Sequence, residues 1–326
     1  YLKRIFLANM EIEGGEAGED AKERAQSLAE RRAPALIDEY EDIGGSPMNQ
    51  HANRQADLLQ SALSERGFDV KTYTAFQFTE PFIEDVARTA KGDGVKKLIG
   101  LPIYPLCGPS TTIQSLEKLR GAVEELTWQP DYDEITGWHT YPPYLRLRSK
   151  AIRNLVDQRG LSFDKETKLI FSAHGTPVHY LNEGSRYDQY VREYATIVNQ
   201  MLGDPGYELG FQNHENRDVD WTEPEIEAVV QNVDADRIIV DPMSFMHEQS
   251  ETLSELDLEL REIAEGEGME FFRVPIPYDD DSFIELLGDL VEPFIADFDP
   301  DLYGYQSCSC CDSDDAMCLN ARRHKH

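Results

Sequence analysis

The chain has 326 residues, 40% of them hydrophobic, and its 62 acidic against 31 basic side chains give a formal net charge of −31. That length exceeds what one core usually holds and indicates a globular protein of two domains. The charge excludes nucleic acid as an expected partner, because phosphates attract basic surfaces. No apolar run approaches the roughly 20 residues that cross a bilayer.

The acidity has two interpretations. A solvated acidic surface keeps a protein soluble, for example in a high-salt cytoplasm. Alternatively, the carboxylates attract metal cations. The first residues, Tyr1 to Met10, fit a strand better than a signal peptide, so we expect a cytoplasmic protein.

Short β-branched runs alternate with amphipathic helical patterns, which is typical of βαβ units and parallel sheets. The predicted strands are Lys3–Met10, Asp69–Ala75, Lys97–Tyr104, Glu134–Thr140, Lys168–Ala173, Tyr207–Gln212, Arg237–Pro242 and Glu270–Ile276. Helical patterns fall at 50–66, 111–125, 187–202, 251–265 and 281–296. Four strands in each half predict an α/β protein of two similar domains, 1–150 and 151–303, followed by a tail at 304–326.

A weak internal repeat supports two related halves. The residues Ile99, Pro102, Ser110, Thr112 and Leu116 recur 140 positions later as Ile239, Pro242, Ser250, Thr252 and Leu256. Both copies predict a strand, a turn containing proline, and a helix that begins with Ser or Thr. Two independent βα units that obey the same capping rules would look alike. If the halves are related, their strand ends face a shared cleft.

The strand at Lys168–Ala173 runs directly into His174, and Gly175 and Pro177 end it sharply. Ligands bind at the carboxyl ends of strands in open α/β sheets, so the imidazole is placed where it can take protons or bind metal. A histidine in this position can also be an ordinary turn residue, and the residues around it determine which of the two interpretations applies.

Three carboxylates, Glu251, Glu255 and Glu259, are spaced four residues apart and share one face of a predicted helix. The simple interpretation is an exposed acidic stripe. The alternative is a ladder that binds divalent cations and passes them from solvent to the cleft. His247 and Gln249 lie at the start of the same helix and add possible donors.

Four cysteines, Cys308, Cys310, Cys311 and Cys318, are packed into eleven residues of the tail, and Cys107 stands alone. This spacing is not a disulfide framework for a large enzyme and favours a metal or iron–sulfur site. A disordered tail with spare thiols is the alternative.

With these features the chain resembles the ferrochelatases, which insert ferrous iron into a porphyrin in haem synthesis. The resemblance covers nearly the whole chain. It rests on five ordered motifs: Tyr40–Pro47 with Gln55, Leu101–Pro105 followed by Ser110–Thr112, Ser172–Pro177, Gln212 followed by Trp221 and Pro224, and Glu251–Leu253 followed by Glu255–Asp257.

The resemblance implies two Rossmann-like domains, each with a four-stranded parallel sheet, and a porphyrin in the cleft between them. His174 is similar to the family's active-site histidine, proposed to accept pyrrole protons or hold the metal. Glu251 is similar to the facing carboxylate, and Glu255 and Glu259 to an outward path for metal or protons.

The resemblance also implies porphyrin-binding residues. These are Met10, Ser46, Tyr104, Ser110, Thr111, Trp221 and Gln249, with Trp138 as a further wall candidate. For the aromatic and Met residues, core packing is an equally good interpretation. Haem is poorly soluble, so we also expect a peripheral membrane contact or a haem-accepting partner, although no amphipathic anchor is evident.

Several departures from the family pattern matter. Gln249 stands where the family usually has a histidine, with His247 two residues earlier. Met10 is similar to the protoporphyrin type, and the spacing from Gln212 to Trp221 is closer to the coproporphyrin type. We therefore expect protoporphyrin, with coproporphyrin as the alternative.

The resemblance further implies a 2Fe-2S cluster bound by Cys308, Cys310, Cys311 and Cys318, with Cys107 as a replacement for one of the adjacent pair, Cys310 and Cys311. Three other functions remain open: a chelatase for another tetrapyrrole, a porphyrin carrier without catalysis, and a periplasmic-type metal-binding protein. The departure at Gln249 favours the carrier.

Overall fold

The computed structural model of the chain describes residues 1–12, 18–213, 219–296, 298–311 and 313–319, except for the side chains of Asn9, Glu11 and Ile12. Its strands are β1 (Lys97–Gly100), β2 (Asp131–Ile135), β3 (Thr167–His174), β4 (Glu208–Gln212), β5 (Arg237–Pro242), β6 (Glu270–Arg273), β7 (Gln306–Ser307) and β8 (Ala316–Cys318). They form two four-stranded sheets with helices around them. The α/β class is therefore confirmed.

In the described ranges, four helices precede β1, and helices separate the strands from β1 to β6. The α-helices are α1 (Leu2–Ile12), α2 (Glu19–Asp42), α3 (Met48–Glu65), α4 (Ile83–Gly92), α5 (Gln114–Glu125), α6 (Pro142–Arg159), α7 (Val178–Asn182), α8 (Tyr187–Leu202), α9 (Ile226–Asn232), α10 (Arg261–Gly266) and α11 (Asp281–Ile295). Two π-helices, π1 (Pro109–Ile113) and π2 (Glu251–Leu260), run directly into α5 and α10, and Pro300–Tyr303 is a 3₁₀ turn.

The second sheet has the order β4-β3-β5-β6 and is parallel throughout. Its four strands were all predicted, although β6 ends three residues before the predicted boundary. The central strand β3 is buried at Leu169, Ile170 and Phe171. Continuous apolar runs of this kind are typical of a parallel strand that is covered on both faces.

The first sheet differs from the prediction. Its order is β1-β2-β8-β7, so the tail supplies two of its strands, and β7 runs antiparallel to β8. The predicted strand at Lys3–Met10 is wrong, because these residues lie in helix α1, which packs along α2. The predicted strand at Asp69–Ala75 is also wrong: this segment is extended but joins no sheet. A short apolar run fits either a helix or a strand until its neighbours are known.

The internal repeat corresponds to matched elements in the two halves. In each, a strand leads through a loop to a π-helix that continues as an α-helix. Thr112 and Thr252 are fully buried at equivalent places, and so are Leu116 and Leu256. The predicted helices at 111–125 and 251–265 are confirmed in extent, but both begin with i→i+5 hydrogen bonds, a feature often found at functional sites.

One large core joins the two halves. Helix α11 packs against α3 and α6, and Trp138 is fully buried in this core against Tyr144 and Phe283. The suggestion that Trp138 lines a porphyrin cleft is therefore wrong. The division at 150 and 303 stays a prediction. No helix in the described ranges is both long enough and apolar enough to cross a membrane.

Candidate active site

His174 is the last residue of β3, and its side chain is half-buried at the carboxyl edge of the second sheet. Its Nδ1 lies 2.6 Å from the carbonyl oxygen of Gly175. A carbonyl only accepts hydrogen bonds, so we assign the proton of the neutral ring to Nδ1. In this tautomer Nε2 keeps its lone pair and is able to accept a proton.

The turn after His174 requires glycine. The Gly175 N–H donates to the Gln212 carbonyl at 2.7 Å, and a Cβ at Gly175 would collide with Asn213 Oδ1. This close approach brings the segment after Gly175 alongside the loop that contains Trp221. In this arrangement Trp221 forms an antiparallel bridge with Pro177. Trp221 therefore lies against Pro177, three residues beyond His174.

Gln212 connects the sheet edge to helix π2. It lies beside His174 in the register of β3 and β4 and is almost fully buried. Its Nε2 donates to the Glu251 carbonyl at 2.9 Å and to Glu255 Oε2 at 2.8 Å, while its Oε1 accepts from Ser172 Oγ. The sequence motifs included Gln212, but no local pattern revealed this bridging role.

The three glutamates of π2 differ in their surroundings. Glu251 and Glu255 are half-buried and Glu259 is exposed. Burial raises the pKa of Glu255 to about 8, and the charges of Glu251 and Glu259 add to that rise. The charges of Glu251 and Glu259 both act on Glu255, so the three carboxylates are near one another on π2, and they run from half-buried to exposed positions.

Glu251 is surrounded by hydroxyl groups from several elements. Ser250 Oγ donates to Glu251 Oε2 at 2.9 Å. Burial raises the pKa of Tyr40 and of Tyr104, and the nearby Glu251 carboxylate contributes to both shifts. Tyr104 belongs to the first half of the chain and Glu251 to the second, so groups from the two halves lie near enough to interact electrostatically.

Helix π1 approaches the same region from the first half. Gln77 Nε2 donates to the carbonyls of Ser110 and Thr111 at 3.3 and 3.4 Å, and Gln77 also hydrogen-bonds Tyr104. Gln77 therefore links the predicted residues Tyr104, Ser110 and Thr111.

Two other predicted residues lie at the ends of helices. Ser46 is exposed in the turn before α3, where its Oγ accepts weakly from Met48 N at 3.4 Å. Gln249 is half-buried, and its carbonyl accepts from Leu253 N at the start of π2.

Met10 does not end a strand. It lies within α1, so the reason for matching it to the protoporphyrin type is removed.

His247 does not replace the missing second imidazole. Its Nε2 is engaged with Gln55 Oε1 at 3.1 Å, and Gln55 itself donates to the Tyr278 carbonyl. Burial lowers the pKa of His247 to about 4, and nearby His51 adds to the decrease. The side chain is therefore a neutral member of a hydrogen-bonded contact between α3 and the loop before π2.

The thiols of the tail gather near Cys107. Cys308 contacts Cys310, Cys311 and Cys318, and Cys311 also contacts Cys107. Hydrogen bonding from Cys308 lowers the pKa of Cys310 to about 6, and hydrogen bonding from Cys107 lowers that of Cys311 to about 4. Across the part of the chain that the structure describes, no three His, Cys, Asp or Glu side chains are arranged to hold a metal ion.

Solved structures show which known fold the chain shares. The chain matches CbiX, described as the terminal enzyme for biosynthesis of sirohaem in denitrifying bacteria, with a TM-score of 0.51 and 15% identity over 76% of this chain and 93% of that one. It also matches SirB from Bacillus subtilis, determined with Fe³⁺, with a TM-score of 0.52 and 12% identity. This match covers 78% of this chain and 95% of SirB. The architecture is that of the chelatases.

Sequence comparison narrows the class to one family. A family model described as Ferrochelatase matches residues 22–294. The ferrochelatase of Synechococcus sp. strain RCC307 is 34% identical over 274 residues, which are 81% of this chain and 70% of the relative. The ferrochelatase of Gloeobacter violaceus is 32% identical over 269 residues, which are 77% of this chain and 79% of the relative. The chain belongs to the ferrochelatase family, enzymes of porphyrin and haem biosynthesis that insert metal into a porphyrin.

Proposed function

We propose that this chain inserts Fe(II) into protoporphyrin IX or coproporphyrin III, with release of two protons. The observation that carries the proposal is the connection between two functional groups at one sheet edge. His174 has Nε2 as its basic nitrogen, and Gln212, its neighbour in register, holds Glu255 and the first turn of π2. Met10 lies within helix α1 and so does not favour protoporphyrin, and the two porphyrins are to be compared directly.

The residues divide the chemistry of metal insertion. A free-base porphyrin loses two pyrrole N–H protons as the metal enters, so two acceptors are needed. In this proposal His174 Nε2 accepts one proton, and Glu251 accepts the other or holds the incoming ion. The carboxylates of Glu255 and Glu259 form the route from solvent, since oxygen donors bind hard divalent cations.

The choice of porphyrin is tested by initial rates under anaerobic conditions. Protein, Fe(II) and either protoporphyrin or coproporphyrin are mixed, and the loss of free-base absorbance is followed, with Zn(II) in parallel. A kcat/KM at least tenfold higher for one porphyrin identifies the substrate. Equal values for both would show that the cleft does not distinguish two propionates from four.

The role of Glu255 predicts a specific pH dependence. Its pKa of about 8 means that protons compete with metal at neutral pH, so the Fe(II) concentration for half-maximal rate should fall as pH rises from 7 to 8.5. In Glu255→Gln this improvement should disappear, and the rate at low Fe(II) should fall about tenfold while the rate at saturation changes less. A variant with unchanged metal dependence would leave the glutamates as plain surface.

We further propose that the tail thiols bind a 2Fe-2S cluster, which would supply an electron-accepting centre outside the cleft. The support is the gathering of Cys308, Cys310, Cys311 and Cys318, with Cys107 as the replacement. In protein produced with iron, Cys318→Ser should remove the visible cluster absorption, and Cys107→Ser should keep it. Loss of the absorption in Cys107→Ser would make Cys107 a ligand in place of Cys310 or Cys311, and absence of the absorption from the wild type would contradict the cluster.

A porphyrin carrier is the second candidate, because Gln249 replaces the usual histidine. A carrier binds porphyrin stoichiometrically without converting it to metalloporphyrin. The cytoplasmic location and the contact with a membrane surface or haem acceptor remain predictions.

A further inference from the structure

His174 extends beyond the end of its neighbouring strand. The register of β3 and β5 ends at Ser172 and Pro242, and Met243 N–H donates to the Ser172 carbonyl. Residues two apart on a strand direct their main-chain groups to the same side. The N–H and C=O of His174 therefore point toward β5 at a place where β5 no longer supplies partners.

Two side chains provide the missing partners. The His174 N–H donates to Ser244 Oγ at 2.9 Å, and Tyr187 Oη donates to the His174 carbonyl at 2.9 Å. Tyr187 Oη and Ser244 Oγ are 3.1 Å apart. Because the single phenolic proton is used on the carbonyl, the serine hydroxyl must donate to the tyrosine oxygen. The three hydrogen bonds thus form a closed ring in which every donor points the same way around the ring.

The members of this ring are themselves held in place. Tyr187 is buried at the start of α8. A Cβ on Gly108 would lie 3.3 Å from Cδ2 of Tyr187, so the phenol ring of Tyr187 packs closely on the main chain before π1. Ser244 follows Met243 after β5, and the next residue, Phe245, contacts the His174 ring edge-on at 6.2 Å. Residues of α8 and of the loop after β5 therefore hold His174, and Tyr187 in turn packs against Gly108 of the first half.

We propose that Ser244 and Tyr187 are positioning residues for His174. By fixing its main chain, they keep Nδ1–H on the Gly175 carbonyl and so fix the orientation of the imidazole. This inference rests on the proposed function of His174 as a proton acceptor. Outer residues that orient a functional histidine commonly change activity by 10- to 100-fold when they are removed, because small displacements of reacting groups are costly.

The test compares Ser244→Ala and Tyr187→Phe with the wild type. Each should lower kcat for metal insertion about tenfold, with the KM for porphyrin within about twofold. The double variant should lose little more than either single variant, because both break the same ring. Ser244→Thr retains a hydroxyl and should recover most of the activity.

Matched controls separate positioning from loss of stability. Ser149 Oγ donates to the Leu145 carbonyl, and Tyr305 Oη donates to the Leu290 carbonyl; both residues are buried and outside the cleft. Ser149→Ala and Tyr305→Phe remove similar hydrogen bonds and should keep kcat. An equal decrease in kcat in these controls would overturn the proposal.

A spectroscopic measurement keeps the inference independent of turnover. In protein with ¹⁵N-labelled histidine, the wild-type His174 should show the tautomer protonated at Nδ1, and Ser244→Ala should shift it toward a mixture of tautomers. If the wild type inserts no metal, the proposed function fails while this signal still tests the ring. A His174 spectrum and kcat that are unchanged in both Ser244→Ala and Tyr187→Phe would contradict the positioning role.

Discussion

His174→Ala is expected to reduce metal insertion by about 10²- to 10⁴-fold, the usual contribution of a positioned acid–base group. The variant lacks the nitrogen that accepts a pyrrole proton, and no other described imidazole replaces it: His247 is engaged with Gln55. The main-chain bonds of His174 to Ser244 and Tyr187 do not involve the imidazole, so the strand end should keep its shape. Turnover is measured by anaerobic absorbance, together with the Tm and porphyrin binding.

Two further measurements make this result specific. Added imidazole should restore part of the rate in His174→Ala, because the cavity left at a half-buried position admits a small base. His247→Ala should keep most of its activity. Normal turnover in His174→Ala, or a loss of activity in His247→Ala alone, would show that the histidine is wrongly assigned.

Glu251→Gln is expected to lower the rate about 100-fold at saturating Fe(II). Glutamine keeps the shape of the side chain and its hydrogen bond from Ser250, but it can neither accept a pyrrole proton nor neutralise the metal ion. The change should also lower the pKa of Glu255, because the Glu251 charge helps to raise it. The pH at which low Fe(II) is used efficiently should therefore move below 8.

The control for Glu251→Gln is Glu259→Gln at the exposed end of π2. This variant loses the same charge but should change the rate at saturating Fe(II) by less than threefold. If the two variants behave alike, the effect is one of net charge and Glu251 has no special role. An unshifted pH dependence in Glu251→Gln would contradict the interaction between Glu251 and Glu255.

The second sheet could be predicted from the sequence because its signals are local. The strand at Arg237–Pro242 and the helix at 187–202 have the predicted boundaries, since a buried parallel strand and an amphipathic helix each show in a short window. The sequence also predicted that His174 ends a strand and that Glu251 begins a helix, and both positions are observed. These residues follow strands or begin helices, which a linear pattern reveals.

Features that depend on distant contacts could not be predicted. The tail strands β7 and β8 join the first sheet next to β2, and nothing near Gln306 or Ala316 indicates that partner. The short apolar run Ile5–Ala8 predicts a strand as well as a helix, and the structure has helix α1 here. The bridge made by Gln212 and the ring formed by Ser244 and Tyr187 require residues that are 39 to 70 positions from the groups they hold, except Tyr187, which is 13 away from His174.

The central claim is catalytic metal insertion, and the number of turnovers tests it most directly. The wild-type protein is mixed anaerobically with an excess of Fe(II) and a 50-fold excess of the preferred porphyrin, roughly enough to separate turnover from binding, and the metalloporphyrin formed is counted against protein. The account predicts many equivalents of product per chain, and almost none in His174→Ala. One equivalent or less in the wild type, with tight porphyrin binding, would contradict the enzyme and identify a carrier.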